Sequence, residues 1–351
     1  MIQAKLSKRF AGFSLDVEFE SSAGITVLFG PDGAGKTLVL DAIAGFAQPD
    51  AGRILLDDVI LFDAAARVNI PPQRRNCSYL FRNHSLFPHL TLRENLMFAA
   101  VRRPRLERHR RVNEILERFE LTGVSGERAH QISASQRLRG SLARVIIGGP
   151  RLLLLDQPWS GLDATLRREL HSLLRQIHTE FKIAMLLATG DLEECFELAD
   201  EMLLLREGRL LQAGEPRKIL DQPASLDAAR MLGIPNLLEA EVIALDPGRN
   251  SSRLRWQDQE LSGTYFPGRM LGDRVWLCMR AEELRVSVHN GSKPGINQVR
   301  AKLLRVSEKP QSLRLEFSGG IFAEVAPETL ASRASEKEWL IEFPPQALRI
   351  L

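Results

Sequence analysis

Cysteine is scarce in this 351-residue chain. Its three thiols, Cys77, Cys195 and Cys278, are far apart, odd in number and without metal-ligand spacing. That pattern excludes a disulfide scaffold and a zinc module, and it fits a reducing cytoplasm. Long apolar runs are also missing: no stretch approaches the roughly 18 residues that a bilayer-crossing helix needs. The opening MIQAKLSKRF holds no apolar secretion core. A protein of this kind reaches a membrane by docking onto another subunit. Excess charge is lacking too, with 47 basic against 44 acidic residues and a net +3, which is too little to argue for nucleic acid. Low-complexity segments are absent.

What is present is an ordinary globular composition, 44% apolar and 26% charged, at a length that suits two domains. Up to about residue 230, short apolar runs alternate with helical stretches. ITVLF (25–29), RILL (53–56), SYLF (78–81), LLLL (152–155), IAMLLA (183–188) and MLLL (202–205) read as strands. Thr91 with Glu94, Ser133 with Gln136 and Asp191 with Glu194 have the spacing of capping boxes at helix starts. Alternating strands and helices predict a largely parallel sheet covered on both faces. A helical lobe is expected over about 90–148. After Pro235 the pattern changes to apolar–polar alternation in RVWLCM (274–279), VRAKLLRV (299–306) and SLRLEF (312–317), which predicts a small antiparallel β domain. The expected domains are 1–233 and 236–351.

The most specific motif is GPDGAGKT (30–37), which satisfies G-x-x-x-x-G-K-[ST]. Gly30, Gly33 and Gly35 let backbone N–H groups turn inward around phosphate oxygens. Lys36 supplies a point charge and Thr37 a hydroxyl for Mg²⁺. The helix that follows aims its positive pole at the same anion. Asp156 ends a four-leucine run, so its carboxylate emerges at the sheet's C-terminal edge, where ligands of open α/β sheets sit. It is the expected second metal ligand.

With those residues in place, the chain resembles the ABC ATPase family. LLLLDQPWSGLD resembles the metal-binding strand and the D-loop (Ser160, Gly161, Leu162, Asp163), and ISASQRLRGSLAR (132–144) resembles the signature motif and its helix. YLFRNHSLFPHLTLREN (79–95) is similar to the Q-loop and the permease-docking surface, and LLATGD (186–191) holds the place of the switch histidine. Phe10 is placed like the aromatic that stacks on adenine. The resemblance implies an α/β P-loop NTPase of ABC type with a helical subdomain. ATP would be held by Phe10, Gly30, Pro31, Asp32, Gly33, Ala34, Gly35, Lys36, Thr37 and Leu38, with Ser133, Gln136 and Asp163 at the dimer contact. Mg²⁺ would sit on Thr37 and Asp156. Its implied partners are membrane permease subunits and a second ATP-binding subunit, taken as a second copy, at the cytoplasmic face of the inner membrane. GINQVRAKLLRV and LRLEFSGGIFAEVAPETLASR resemble the Mop/TOBE-like, OB-like β domain of molybdate-importer ATPases, best over 291–351. AEELRVS (281–287) is similar to a tail segment of sulfate- and sugar-importer ATPases. An oxyanion is the implied solute and a possible ligand of that tail.

Departures from the family pattern touch nearly every part that handles the γ-phosphate. Gln157 stands for the catalytic glutamate, Gly190 for the switch histidine, Arg82 for the Q-loop glutamine, and Ala134 and Ser135 for the signature glycines. A general base is typically worth about 10²–10⁴ in rate, and an amide cannot take a proton, although it can orient water. No catalytic residue is intact, so ATP binding with slow hydrolysis is expected. A non-catalytic, ATP-gated regulator that senses a small anion is the alternative. Arg82 either reaches phosphate or pairs with a nearby acid. RRPRLERHRR (102–111) reads as a solvated helical face, and His171 and His178 as surface histidines.

Overall fold

Alternating apolar and polar residues in FSLDVEFES build the second strand of a hairpin that opens the chain: Leu15, Val17 and Phe19 are buried while Asp16 and Glu18 face out. The computed structural model describes residues 1–22, 24–82, 86–102, 104–289, 293–329 and 338–351. Residues 83–85 of the docking motif, residue 103 of the basic run and residues 330–333 of the tail motif fall outside them. The described chain divides into two compact units, Met1–Ile219 and Leu220–Leu351. No described helix is long and apolar enough to cross a membrane.

The first unit is built on β1 (Ile2–Phe10), β2 (Phe13–Ser21), β3 (Ile25–Phe29), β4 (Ala51–Leu56), β5 (Val59–Asp63), β6 (Val68–Asn69), β7 (Cys77–Leu80), β8 (Leu152–Asp156), β9 (Ala184–Thr189), β10 (Glu201–Arg206) and β11 (Arg209–Gly214). Their order across the sheet is β6-β5-β4-β1-β2-β11-β10-β3-β9-β8-β7. Only the run from β10 through β3, β9 and β8 to β7, and the short β11–β2 contact, is parallel. The β6–β2 flank and the β10–β11 hairpin are antiparallel. The expectation of a largely parallel sheet is therefore corrected. The continuous apolar runs ITVLF and AMLLAT are buried along their whole length, as befits a sheet covered on both faces. The antiparallel flank hides one face only, which is why its strands alternate instead.

Helix α1 (Lys36–Ala44) packs Val39, Leu40 and Ile43 against this sheet with essentially no exposure. Burial of that degree stabilises by about 1.5–3 kcal/mol per side chain. Its far end is held by Arg75, which is itself buried. The guanidinium donates to the Ala42 and Ile43 carbonyls at 2.7 and 2.8 Å, to Ile70 O at 2.6 Å and to Asn69 Oδ1 at 2.7 Å. A cation that satisfies the last carbonyls of a helix complements its negative pole. A Cβ on Gly45 would lie 2.6 Å from Arg75 Nε, so glycine is needed where this arginine enters.

The lobe consists of α2 (Leu92–Ala99), α3 (Arg105–Arg118) and α4 (Ala134–Ile146). Both expected capping boxes at its helix starts form, Thr91 with Glu94 and Ser133 with Gln136. Of the basic run, Arg105, Glu107, His109 and Arg110 are exposed, as a solvated face requires, but Arg111 at its end is largely covered. Arg111 and Arg118 stack over Phe181, their guanidinium carbons 5.6 and 5.3 Å from the ring centroid, because that ring closes α5 (Ala164–Phe181) alongside. His171 on α5 is likewise not a surface residue: it is mostly buried, meets Trp159 edge-on at 5.3 Å and bonds Glu197.

The second unit carries the expected strands at Arg274–Met279, Gln298–Glu308 and Leu313–Phe317 within two curled five-stranded antiparallel sheets. Trp339, Phe317, Phe343 and Leu277 form their shared core. The architecture is that of a small OB-like β domain.

Candidate functional site

The site begins where β3 ends. Strand-to-helix reversal within six residues requires left-handed backbone at Gly33 (φ 80°) and Gly35 (φ 102°). Gly30 is demanded by close approach instead, since a Cβ there would lie 2.2 Å from the Leu205 carbonyl oxygen. Lys36 is 4% exposed and curls back to donate to Gly30 O at 2.7 Å and Pro31 O at 2.9 Å. Burial pushes its pKa down, while Asp32 and Asp156 oppose that. The ammonium is thus held inside its own loop by the Gly30 and Pro31 carbonyls.

Thr37 Oγ1 stands 3.1 and 3.0 Å from the two Asp156 carboxylate oxygens. A hydroxyl and a carboxylate meeting beside a phosphate loop form a donor set suited to Mg²⁺, which keeps waters and takes one or two carboxylates plus substrate phosphates. Asp41, one turn along α1, has its carboxyl pushed up by burial despite the Tyr79 hydroxyl bonded to it. Burial pushes that phenol up as well.

Two cavities flank the loop. One, of about 400 Å³, is lined by Phe13, the loop from Asp32 to Leu38, Asp41 and Gln157. The other, of about 220 Å³, takes in Asp32 and Gln157 again with Arg82, Trp159, Ser160, Arg167 and Thr189–Asp191, and reaches Glu194. Gln157 is held in the left-handed region at φ 45°. Its N–H donates to Ala188 O at 3.0 Å and its side-chain amide to Asp32 Oδ1 at 3.4 Å. Strained non-glycine backbone of this kind concentrates at working sites.

Phe10 lines neither cavity; it is half-exposed, with Lys8 Nζ 5.3 Å from its ring centroid. Phe13, three residues on, is the ring at the loop. Arg82 pairs with no acid among the described residues: its Nε donates to Ser160 Oγ at 3.0 Å, and it lines the second cavity with Asp32 and Gln157. Ser133 and Gln136 are engaged with each other, Ser135 donates to Glu169 at 2.6 Å, and Asp163 caps α5 by accepting from Thr165 and Leu166 N–H at 2.9 Å. None of these lines the loop cavities. Gly190 does, and its backbone does not require glycine: a built Cβ meets only Gly30 O at 3.4 Å.

Glu194 was expected to close a capping box with Asp191 and does not. Asp191 caps α6 (Leu192–Leu198) through the Glu193 N–H at 2.9 Å. Glu194 is instead buried, accepting from the Thr189 hydroxyl with Arg167 3.8 Å away. Burial pushes its carboxyl up to about 7. Folded protein therefore keeps a proton that unfolded chain releases near pH 4.5. The stability this contributes is complete below that value and is lost as pH rises through about 7. Glu194→Gln, which cannot ionise, is expected to show a smaller fall in unfolding temperature between pH 6 and 8 than wild type. An equal fall would sink this assignment.

Comparison with known proteins places the geometry in context. Residues 14–160 match the family model described as "ABC transporter". The chain is 35% identical to the spermidine/putrescine import ATP-binding protein of Nitratidesulfovibrio vulgaris, over 80% of this chain and 75% of that one. It is 28% identical to the molybdenum import ATP-binding protein of Paramagnetospirillum magneticum, over 85% and 82%. With the sulfate/thiosulfate import ATP-binding protein of Thermosynechococcus vestitus the identity is 37%, over 69% and 72%. Among solved structures, cbiO1 from Clostridium perfringens, part of the ABC transporter complex cbiONQ, aligns with a TM-score of 0.53 at 22% identity. That alignment covers 66% of this chain and 94% of cbiO1.

Proposed function

The chain belongs to the ABC transporter family as the ATP-binding subunit of an importer, and from that premise we propose that it binds MgATP at a dimer interface, hydrolyses it slowly, and serves uptake of molybdate or a related oxyanion. The observation that carries the nucleotide part is the loop itself: Lys36 poised among loop carbonyls and Thr37 facing Asp156. Loop N–H groups and Lys36 hold phosphate oxygens, and Thr37 with Asp156 hold Mg²⁺. When bound, the ion supplies positive charge to the phosphate oxygens. Phe13 offers a ring at the loop cavity.

Slow hydrolysis is supported by what surrounds the terminal phosphate position. Gln157 cannot accept a proton, Gly190 presents no side chain, and Arg82 is engaged with Ser160. Permease docking is supported by an exposed aromatic stack: Phe46 and Phe81 flank Tyr79 at centroid distances of 5.5 and 4.4 Å, and Phe98 nearby in sequence to Leu92 is 62% exposed. Exposed apolar patches of this kind mark interaction surfaces. Such a subunit works peripherally at the inner membrane through its permease.

A regulatory reading, in which the tail senses an anion, is favoured by one feature of the second unit. A cavity of about 500 Å³ is lined by Ser251, Ser252, Ser262, Arg249 and Arg253. Both arginines already face acids, Asp246 at 3.8 Å and Glu260 at 3.6 Å, which argues for a weak anion site. Calorimetry tests the main proposal: one MgATP per chain is expected, and no heat of binding with Mg²⁺ present would remove it. Adding molybdate, sulfate or spermidine to a reconstituted importer then separates the solute classes.

A further inference from the structure

Four acidic side chains reach the two cavities beside the phosphate loop without belonging to the metal pair: Asp32, Asp41, Asp191 and Glu194. Three of them are engaged. Asp41 is bonded to the Tyr79 hydroxyl. Asp191 caps α6 and faces Arg167 at 3.6 Å. Glu194 is buried against Thr189 and Arg167. Asp32 alone lines both cavities, is exposed, and has as its one side-chain hydrogen-bond partner among the described residues the Gln157 amide, 3.4 Å away.

From this arrangement we infer that Asp32 is the catalytic carboxylate of the residual ATP hydrolysis, with Gln157 as its positioning residue; the inference rests on the nucleotide reading above. The two residues face each other across one contact, amide to acid. The β8 end, where a base is expected, carries the amide, and the loop carries the acid. An amide N–H donating to a carboxylate orients it and leaves its second oxygen free. Two carboxylates at that separation would repel each other, so an acid at 32 fits Gln157 and disfavours glutamate there. In the step itself, the water oxygen bonds to the terminal phosphorus and the bond from that phosphorus to the bridging oxygen breaks. The electron pair of that bond leaves with the diphosphate, and Asp32 accepts the water proton and passes it on to the released phosphate.

The test is a double-variant cycle on the full chain, with phosphate release from MgATP and nucleotide affinity by calorimetry measured for wild type, Asp32→Asn, Gln157→Glu and the pair together. Asp32→Asn is expected to lower kcat at least about tenfold, the low side of a lost general base, with affinity within about threefold of wild type. In the Gln157→Glu background the same substitution is expected to raise kcat, because it removes the repulsion and leaves one carboxylate in place. That reversal of sign is the signature, since a merely structural Asp32 would lower the rate in both backgrounds. Unchanged kcat in Asp32→Asn, equal loss in both backgrounds, or binding without any hydrolysis by wild type each overturns the inference while leaving the nucleotide site standing. Failure of wild type to bind MgATP overturns both.

Discussion

Turnover of MgATP is expected to rise at least about tenfold when Gln157→Glu and Gly190→His are combined in one chain. The reasoning starts from what the backbone permits. Position 190 has room, because a Cβ there meets only Gly30 O at an ordinary 3.4 Å, and its conformation is one that any residue adopts. Position 157 is already left-handed at φ 45° with glutamine, and glutamate carries the same backbone cost. General-base help is worth about 10²–10⁴ in rate; Asp32 supplies only the low side of that range, so a glutamate at 157 has at least about tenfold left to add. Against it stands repulsion between the new carboxylate and Asp32, now 3.4 Å from the amide nitrogen. Asp32 is exposed, so water-like screening limits that penalty to about 1 kcal/mol, or somewhat less than tenfold. The gain therefore exceeds the offset. Steady-state phosphate release measured with nucleotide affinity checks it; an unchanged rate at unchanged affinity would show that these two positions do not limit hydrolysis.

The second large effect concerns binding. Lys36→Ala is expected to weaken MgATP at least about 10²-fold, because charge-assisted hydrogen bonds are worth about 1.5–3 kcal/mol each and each 1.4 kcal/mol is tenfold. Lys36→Arg is expected to restore little. The ammonium sits 4% exposed between the Gly30 and Pro31 carbonyls, and a planar guanidinium does not fit a pocket shaped for a point charge. Calorimetry gives the affinity, and a thermal melt on the same sample confirms the fold. Wild-type affinity in Lys36→Ala would remove the loop from the nucleotide site altogether.

Much of this was legible in the residues. The glycines and the lysine of residues 30–37 announce a phosphate loop because few other structures need that spacing. The uninterrupted runs at 25–29, 152–155 and 183–188 announce strands buried on both faces. Contacts that join distant segments were not legible. Nothing local to Asp32 points to Gln157, 125 residues away. The sequence singles out Phe10, and only the folded hairpin shows Phe13 at the loop. Glu194 has the spacing of a cap, and its burial under Thr189 depends on how α6 packs on β9. The β1–β2 hairpin did leave a signal in the strict alternation of residues 13–21.

Arg75 gives the phosphate-loop helix a property that its length makes useful. Nine residues span about 13 Å, with a guanidinium fastened on one pole and the loop N–H groups at the other. Peptide dipoles lined up in that short rod run from a fixed cation at the tail to an open electropositive mouth at the head. The charge at its rear is already neutralised by built-in chemistry, so an arriving anion need only satisfy the front. The contacts that fasten the rod's tail lie at the pole away from the mouth, so they do not depend on the anion.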